Sequence, residues 1–460
     1  MLTQEKAAEI FDRIRKHSTS DETELLISGG KSSLTRFANN TITQNVSEEN
    51  YVLSLRVNLD GRTARATTNK FDDESIQRVL QSATQLAKVQ EKDPDLLPLA
   101  DRSSYDETGP EVARTFFETA SIGPKERAQA VGEMVDVAQK YKLTSAGIYA
   151  TSESVEAVLN SKGLSAYHSQ TSAEVSVTML AADSSGWQKA NYPNANDMKP
   201  AELAEIAARK AIDSANPEEL PPGKYTVILE PAAVLDILGY MFWDWGGQAI
   251  LDERSFLNNR IGTQLFGENI NITDDVYHPL QNGAPFDGEG VRRQGVALVE
   301  EGFVKRLVYA RGTAKKIRDS EYAGKVGPVA ATGHGFPLPN EIGEMPMNIV
   351  LTSTGRTSTV DEMIASTERG ILVTRLWYIR EVEPYDKIVT GMTRDGTFLI
   401  ENGRAKRGLR NFRFNQSLIH LLNNVEAMSQ PVRASGEEAF DMVVPAMKVR
   451  DFNFTEVTKF

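Results

Sequence analysis

The chain has no cysteine among its 460 residues. That absence excludes disulfides, thiolate zinc sites, iron–sulfur clusters and thiol nucleophiles together. It suits a cytoplasmic protein, and cytoplasmic residence is the expectation. Histidine is scarce: His17, His168, His278, His334 and His420 are the full set, with no two inside one helical turn. A hydrolytic zinc site commonly draws two imidazoles from neighbouring turns of one helix, and no stretch here offers that pair. Positive charge is in deficit, with 51 Lys and Arg against 63 Asp and Glu. This argues against a general binder of nucleic acid or anionic membrane. The most basic stretch, RAKRGLRNFR (404–413), reads as a solvated strand edge. No apolar run approaches the ~18 residues of a membrane span. No G-x-x-x-x-G-K-[ST] loop or G-x-S-x-G elbow occurs, and GEGVRRQG (288–295) lacks the spacing of a dinucleotide loop.

What is present reads as two α+β domains, 1–222 and 223–460. The start, MLTQEKAAEIFDRIRK, places Ala7, Ile10, Phe11 and Ile14 on one helical face, unlike a signal peptide. YVLSLRV alternates Leu53, Leu55 and Val57, and a helix after Asp72 and Asp73 carries Ile76, Val79, Leu80 and Ala83. A Pro- and acid-rich connector covers 91–111, and another helix opens at Gly123-Pro124. SVEAVLNSKGLSAYHSQ forms a hairpin, and 144–190 echoes the strand–turn–strand pattern of 40–70, an internal duplication. After ANPEELPPGKY (215–225) the chain is strand-dominated. Hairpins turn at Glu301-Gly302 and Asn402-Gly403, and TSTGRTSTVDE (352–362) is a loop ending in a helix cap. QSLIHLLNNVEAM is a final helix with Leu418, Leu421, Leu422 and Val425 inward and His420 on its polar side. NITDDVYHP reads as a strand entering a loop with a surface carboxylate pair, and His334 as a solvated loop residue.

The stretch EPAAVLDILGYMFWDWGGQAILDERSFL (230–257) is apolar and tryptophan-rich. Glu230, Asp236 and Asp244 rule out a membrane span. Val234, Leu238, Met241, Phe242 and Trp245 make an inward stripe, with Pro231 in the first turn and Gly246-Gly247 at the end. Trp243 and Trp245 are expected to add buried area.

Six segments in order resemble the TldD/PmbA family, proteins called modulators of DNA gyrase and classed as peptidases. They are SSLTRFANNTITQ (32–44), SFLNNRIG (255–262), PFDGEGVRR (285–293), LVEEGFVKRLVYARGTAKKI (298–317), IASTERGILVTRLWYI (364–379) and GTFLIENGRAKRG (396–408). The resemblance implies a second domain built on a strongly curved, barrel-like antiparallel sheet with a few helices. It also implies an enclosed chamber for extended or unfolded peptides, and pairing of a zinc-bearing TldD-type subunit with a PmbA (TldE)-type one. In the zinc-bearing type a His-Glu-x-x-x-His motif lies on the helix that 230–257 corresponds to, and a later cysteine completes the site. Here the equivalent positions fall at Leu238, Gly239 and Trp243. The chain is therefore identified as a PmbA-type member with no catalytic or metal residues and no cofactor of its own. It is expected to work with a zinc-bearing homologous subunit, or as a homodimer, on peptide. Candidate substrate or interface residues are Phe286, Asp287 and Gly290, and Arg375 and Tyr378. Asp287 is weighed against a turn-capping role, and Arg375 against a structural ion pair. Two alternatives stay open. One is an active peptidase with a non-standard site from His278, His334 and Asp274 or Asp275; the other is a non-proteolytic regulator.

Overall fold

The computed structural model describes residues 1–105 and 113–458, so positions 106–111 of the acidic connector lie outside the described residues. The first helix, α1 (Gln4–His17), is capped by Thr3, whose side chain accepts from the Lys6 N–H. It buries the expected Ala7, Ile10, Phe11 and Ile14. Three antiparallel strands follow, β1 (Glu22–Ala38), β2 (Thr41–Leu59) and β3 (Arg62–Thr68), then α2 (Asp73–Val89), capped by Asp72. A short α3 (Phe117–Ala120) leads to the second copy of this pattern. It comprises α4 (Pro124–Lys140), β4 (Thr144–Asn160), β5 (Ser165–Leu180), β6 (Ser185–Tyr192) and α5 (Pro200–Asp213). The six strands form one sheet in the order β3-β2-β1-β4-β5-β6. Because β1 and β4 meet antiparallel at its centre, the two helix–strands–helix units are related like the halves of a two-fold. The duplication expected from the sequence is thus visible as topology.

The helices share one face of this sheet. Leu25, Ile27, Leu53, Leu55 and Val57 pack under α1 and α2, and Val175, Val177 and Met179 under α4 and α5. The opposite face meets the rest of the chain. There Val158, Leu164 and Ala166 contact Phe286 and Val291.

Past residue 222 two further sheets form. One has six strands. In the other, five strands close on themselves: Gly223–Leu229, Met447–Val457, Phe412–Ser417, Ile388–Glu401 and Arg369–Glu383, the last pairing also with the first. Its curvature matches the expected barrel-like sheet, with one difference: Gly223–Leu229 and Arg369–Glu383 run parallel. The long connection between them, which opens with a helix and contributes strands to the other sheet, allows this, because a parallel pair requires a crossover. Phe412, Phe414, Phe452 and Phe454 fill the ring, with centroids 4.8–5.4 Å apart. The basic strand Arg404–Gly408 sits exposed at the sheet edge. The helix read over 416–428 stops early: Leu418–Asn423 is helical, and Val425 begins a strand paired with Met447–Val457. Tertiary pairing overrides the helical periodicity there.

The crossover helix α6 (Pro231–Leu238) continues as a 3₁₀ segment, Gly239–Asp244. Val234, Leu238, Met241, Phe242 and Trp245 are fully buried, as the stripe requires. Gly246 and Gly247 do not end this helix; Gly247 starts another, Gly247–Leu251. Within the stripe's helix lies Asp236, also without solvent access. Its Oδ1 accepts the N–H groups of Glu437 and Glu438 at 3.0 and 2.9 Å, while Oδ2 has no partner. Burial pushes this carboxyl up to about 7, against those two N–H groups and Arg375. The folded state therefore holds the Asp236 proton more tightly than the unfolded chain. Its contribution to stability is complete below about pH 4 and falls as pH rises to about 7, by ~4 kcal/mol at most. Asp236→Asn keeps the acceptor and removes the titration. Thermal unfolding should show the variant matching the parent at about pH 3.5 and exceeding it at pH 8; equal losses in both chains would refute this. Trp245→Ala should cost about 3–5 kcal/mol in denaturant unfolding, since the indole is fully enclosed.

Candidate functional site

The three positions that the resemblance aligns with a His-Glu-x-x-x-His motif, Leu238, Gly239 and Trp243, have different surroundings. Leu238 is part of the main core. Gly239 is pressed under the 435–441 segment, where a Cβ would lie 2.3 Å from the Ala439 Cβ. No side chain larger than hydrogen fits there without moving that segment. Trp243 corrects an expectation: it is 48% exposed rather than packed. At 100° per residue it falls on the side opposite the buried stripe, so the same periodicity that buries Trp245 turns Trp243 out. Trp245 packs on Phe256 and Phe266, with centroids 5.5 and 6.4 Å away.

Trp243 forms part of the wall of an open cavity of about 600 Å³, with Tyr240, Glu253, Glu381, Tyr385 and Lys387. Lys387 is buried, and its Nζ lies 2.5 Å from Asp244 Oδ2 and in contact with Glu381. Burial raises the Asp244 carboxyl above its ordinary range, and Lys387 works against that rise. A second, smaller cavity of about 300 Å³ opens between the first sheet and the later loops. It brings together Phe286, Asp287 and His334 with Ser28, Glu156 and Arg293.

Of the predicted contact residues, four turn inward. Phe286 is buried and meets Tyr105 edge-on at 5.3 Å. Asp287 is a loop cap: Oδ1 accepts the Glu289 and Val291 N–H groups at 2.9 Å each, and Oδ2 the Gly335 N–H at 2.8 Å. Burial and the neighbouring Glu289 push its carboxyl up, against those three donors. Gly290 has φ +77°, and a Cβ would lie 2.5 Å from Leu164, so the loop docks tightly on the first sheet. Arg375 is buried against Asp395, with Nε 2.8 Å from Oδ2, and its guanidinium stacks 4.5 Å from the Trp187 ring. Ser185 Oγ donates to the same Asp395 at 2.6 Å, so this ion pair joins the two halves of the chain. Only Tyr378 faces outward, 52% exposed, at φ +54°, its N–H donated to Glu438 at 2.7 Å.

The alternative metal site does not assemble. His334 is buried rather than solvated, and Asp274 is buried rather than at the surface. His334 Nε2 lies 3.0 Å from Asp274 Oδ1, and Nδ1 lies 3.0 Å from Thr332 Oγ1, so both ring nitrogens are engaged. Burial opposes an ionised Asp274, but His334 and the backbone N–H of Asn348 outweigh it and hold the carboxyl low. His278 accepts the Leu280 N–H on Nδ1. Among the described residues no three His, Asp or Glu side chains are grouped to hold a metal ion. Among the same residues no helix is long and apolar enough to cross a membrane.

Sequence reasoning missed Asp236, Lys387 and Glu344. The buried Glu344 accepts the N–H groups of Gln248 and Ala310 and the hydroxyl of Thr313. A lone carboxylate inside VLDIL was a usable signal for Asp236, since burying one demands dedicated donors. Lys387 and Glu344 lie in turn-like segments with no local pattern.

The chain's likeness to known proteins covers nearly all of it. The PmbA/TldA metallopeptidase C-terminal domain matches residues 222–456, domain 1 matches 23–87, and the central domain matches 118–215. An uncharacterized protein of Methanocaldococcus jannaschii is 25% identical over 56% of this chain, a match spanning 60% of that protein's length. Metalloprotease PmbA of Escherichia coli O157:H7 is 22% identical over 65% of this chain and 69% of its own. TldE from Thermococcus kodakarensis superposes with a TM-score of 0.84 at 19% identity, covering 98% of this chain and 99% of that one. A Thermotoga maritima protein termed a modulator of a DNA gyrase gives 0.82 at 18%, covering 98% and 100%. At such identities the structural likeness speaks to the fold alone. The three domain matches go further: the chain belongs to the PmbA/TldD family.

Proposed function

We propose that this chain is a metal-free, PmbA/TldE-type subunit of a cytoplasmic peptidase complex. In this reading a TldD-type homologous subunit supplies the zinc, and the two together enclose and hold extended peptide. The observation that carries the reading is the chemistry of the crossover helix. Zinc takes nitrogen, sulfur or carboxylate donors. Leu238 and Gly239 offer none, Trp243 has only an N–H donor, and no cysteine exists to complete a site. The residues present do not fit the ion, so no catalytic step is assigned to them.

A second feature supports the peptide-holding role. Strand β3 pairs with β2 only over Leu53–Leu59. The outer edge of β2 from Thr41 to Val52 is therefore unpaired by β3, and an edge of this kind can hydrogen-bond an extended chain through its backbone.

Co-expression with a zinc-bearing relative from the same genome tests the proposal. The two should copurify, zinc should be found on the partner, and the isolated chain should hydrolyse no peptide. Failure of the two to associate would sink the subunit reading. So would stoichiometric zinc on the isolated chain that is lost, together with activity, on substituting His278 and His334.

A further inference from the structure

The cavity beside Trp243 has walls of a particular chemistry. Trp243 and Tyr385 expose about half their surface, at 48% and 50%, and Tyr240 adds a third ring. Asp244, Glu253 and Glu381 supply three carboxylates to the same space. Against them stand Lys387 and Arg254. Lys387 is already neutralised by Asp244 and Glu381, and Arg254 is held by Asp252 at 3.2 Å. The lining is thus aromatic and net acidic. Tyr385 already stacks one guanidinium, that of Arg260, at 3.8 Å from its centroid. Tyr378 and Val382, on the strand that carries Glu381, are also exposed, at 52% and 57%.

Physical chemistry narrows the occupant. An anion would meet a lining with more carboxylates than cations and be repelled. A purely apolar group would desolvate those carboxylates without replacing their partners. A cation on an apolar stem satisfies both parts, its charge attracted by ring faces and carboxylates and its methylenes covering the indole. We infer that this cavity binds an arginine or lysine side chain of an extended peptide, the stem on Trp243 and the charged head at Glu253, beside the Glu381 carboxylate that Lys387 already holds. The inference rests on the peptide-holding role and adds a side-chain preference to it.

Calorimetric titration of the full chain with two short Gly/Ser/Thr peptides tests this. The peptides differ only at one central residue, arginine in one and its neutral isostere citrulline in the other. The arginine peptide should bind roughly tenfold tighter, and Trp243→Leu and Glu253→Gln should each remove most of that preference. Both residues are exposed, so both variants should keep the parent's melting temperature. Equal binding of the two peptides overturns the pocket and leaves backbone holding of peptide intact. An arginine preference unchanged in both variants also overturns it, placing the cation elsewhere. Binding of neither peptide overturns it too, while copurification with the zinc-bearing relative decides the subunit reading separately.

Discussion

Glu24 is a carboxylate with almost no access to water, and the placement of the two halves depends on what neutralises it. It sits on β1, with Arg65 at 2.6 Å and Arg56 at 3.8 Å. Arg65 also donates to the Leu338 carbonyl at 2.6 Å, across the interface. Facing them is a second buried acid, Glu289, whose partner Arg311 lies at 3.5 Å and donates to Pro98 on the first half at 2.9 Å. A buried charge stripped of its partner costs about 3–5 kcal/mol. Each acid keeps its arginine within its own half, and what crosses the interface is the donation of Arg65 and Arg311 to carbonyls of the other half. Sliding the halves would leave those donors unpaired, whereas an apolar contact such as Phe286 on Val158 tolerates slippage. The ionic cluster therefore sets the register in which the 286–293 loop docks, and with it the smaller cavity. Arg375 with Asp395 and Ser185 does the same at another point of the interface.

What could be read in advance follows from how local each signal is. The caps at Asp72 and Thr359, the helix after Gly123 and the turns at Asn402-Gly403 and Glu301-Gly302 are decided by a few neighbouring residues, and each is present. The barrel-like sheet was accessible only through family resemblance, because its closure depends on pairing residues 371–373 with 227–229. His334 and Asp274, 60 residues apart, looked like solvent-facing groups because each alone is polar; their burial depends on finding one another. Trp243 was misjudged for a different reason. Tryptophan's average burial was allowed to outweigh a helical phase that already pointed it outward.

The helix Pro231–Leu238 and the 3₁₀ segment after it fix their neighbours through buried acids. Asp244 reaches the hairpin formed by Arg369–Glu383 and Ile388–Glu401 directly, and Asp236 reaches it through Glu438. Asp236 holds the N–H groups of 437 and 438, and the Glu438 side chain in turn accepts from the Tyr378 N–H and the Tyr240 hydroxyl. Asp244 pairs with Lys387 in the hairpin turn. Tyr378 and Lys387 both sit at positive φ, backbone states that non-glycine residues hold only under support. That support is the pair of acids. A helix without ligands for zinc thus still dictates where the outward aromatic side chains stand. Selection on this face can then act through ring faces and carboxylates at the rim, with the helix core unchanged.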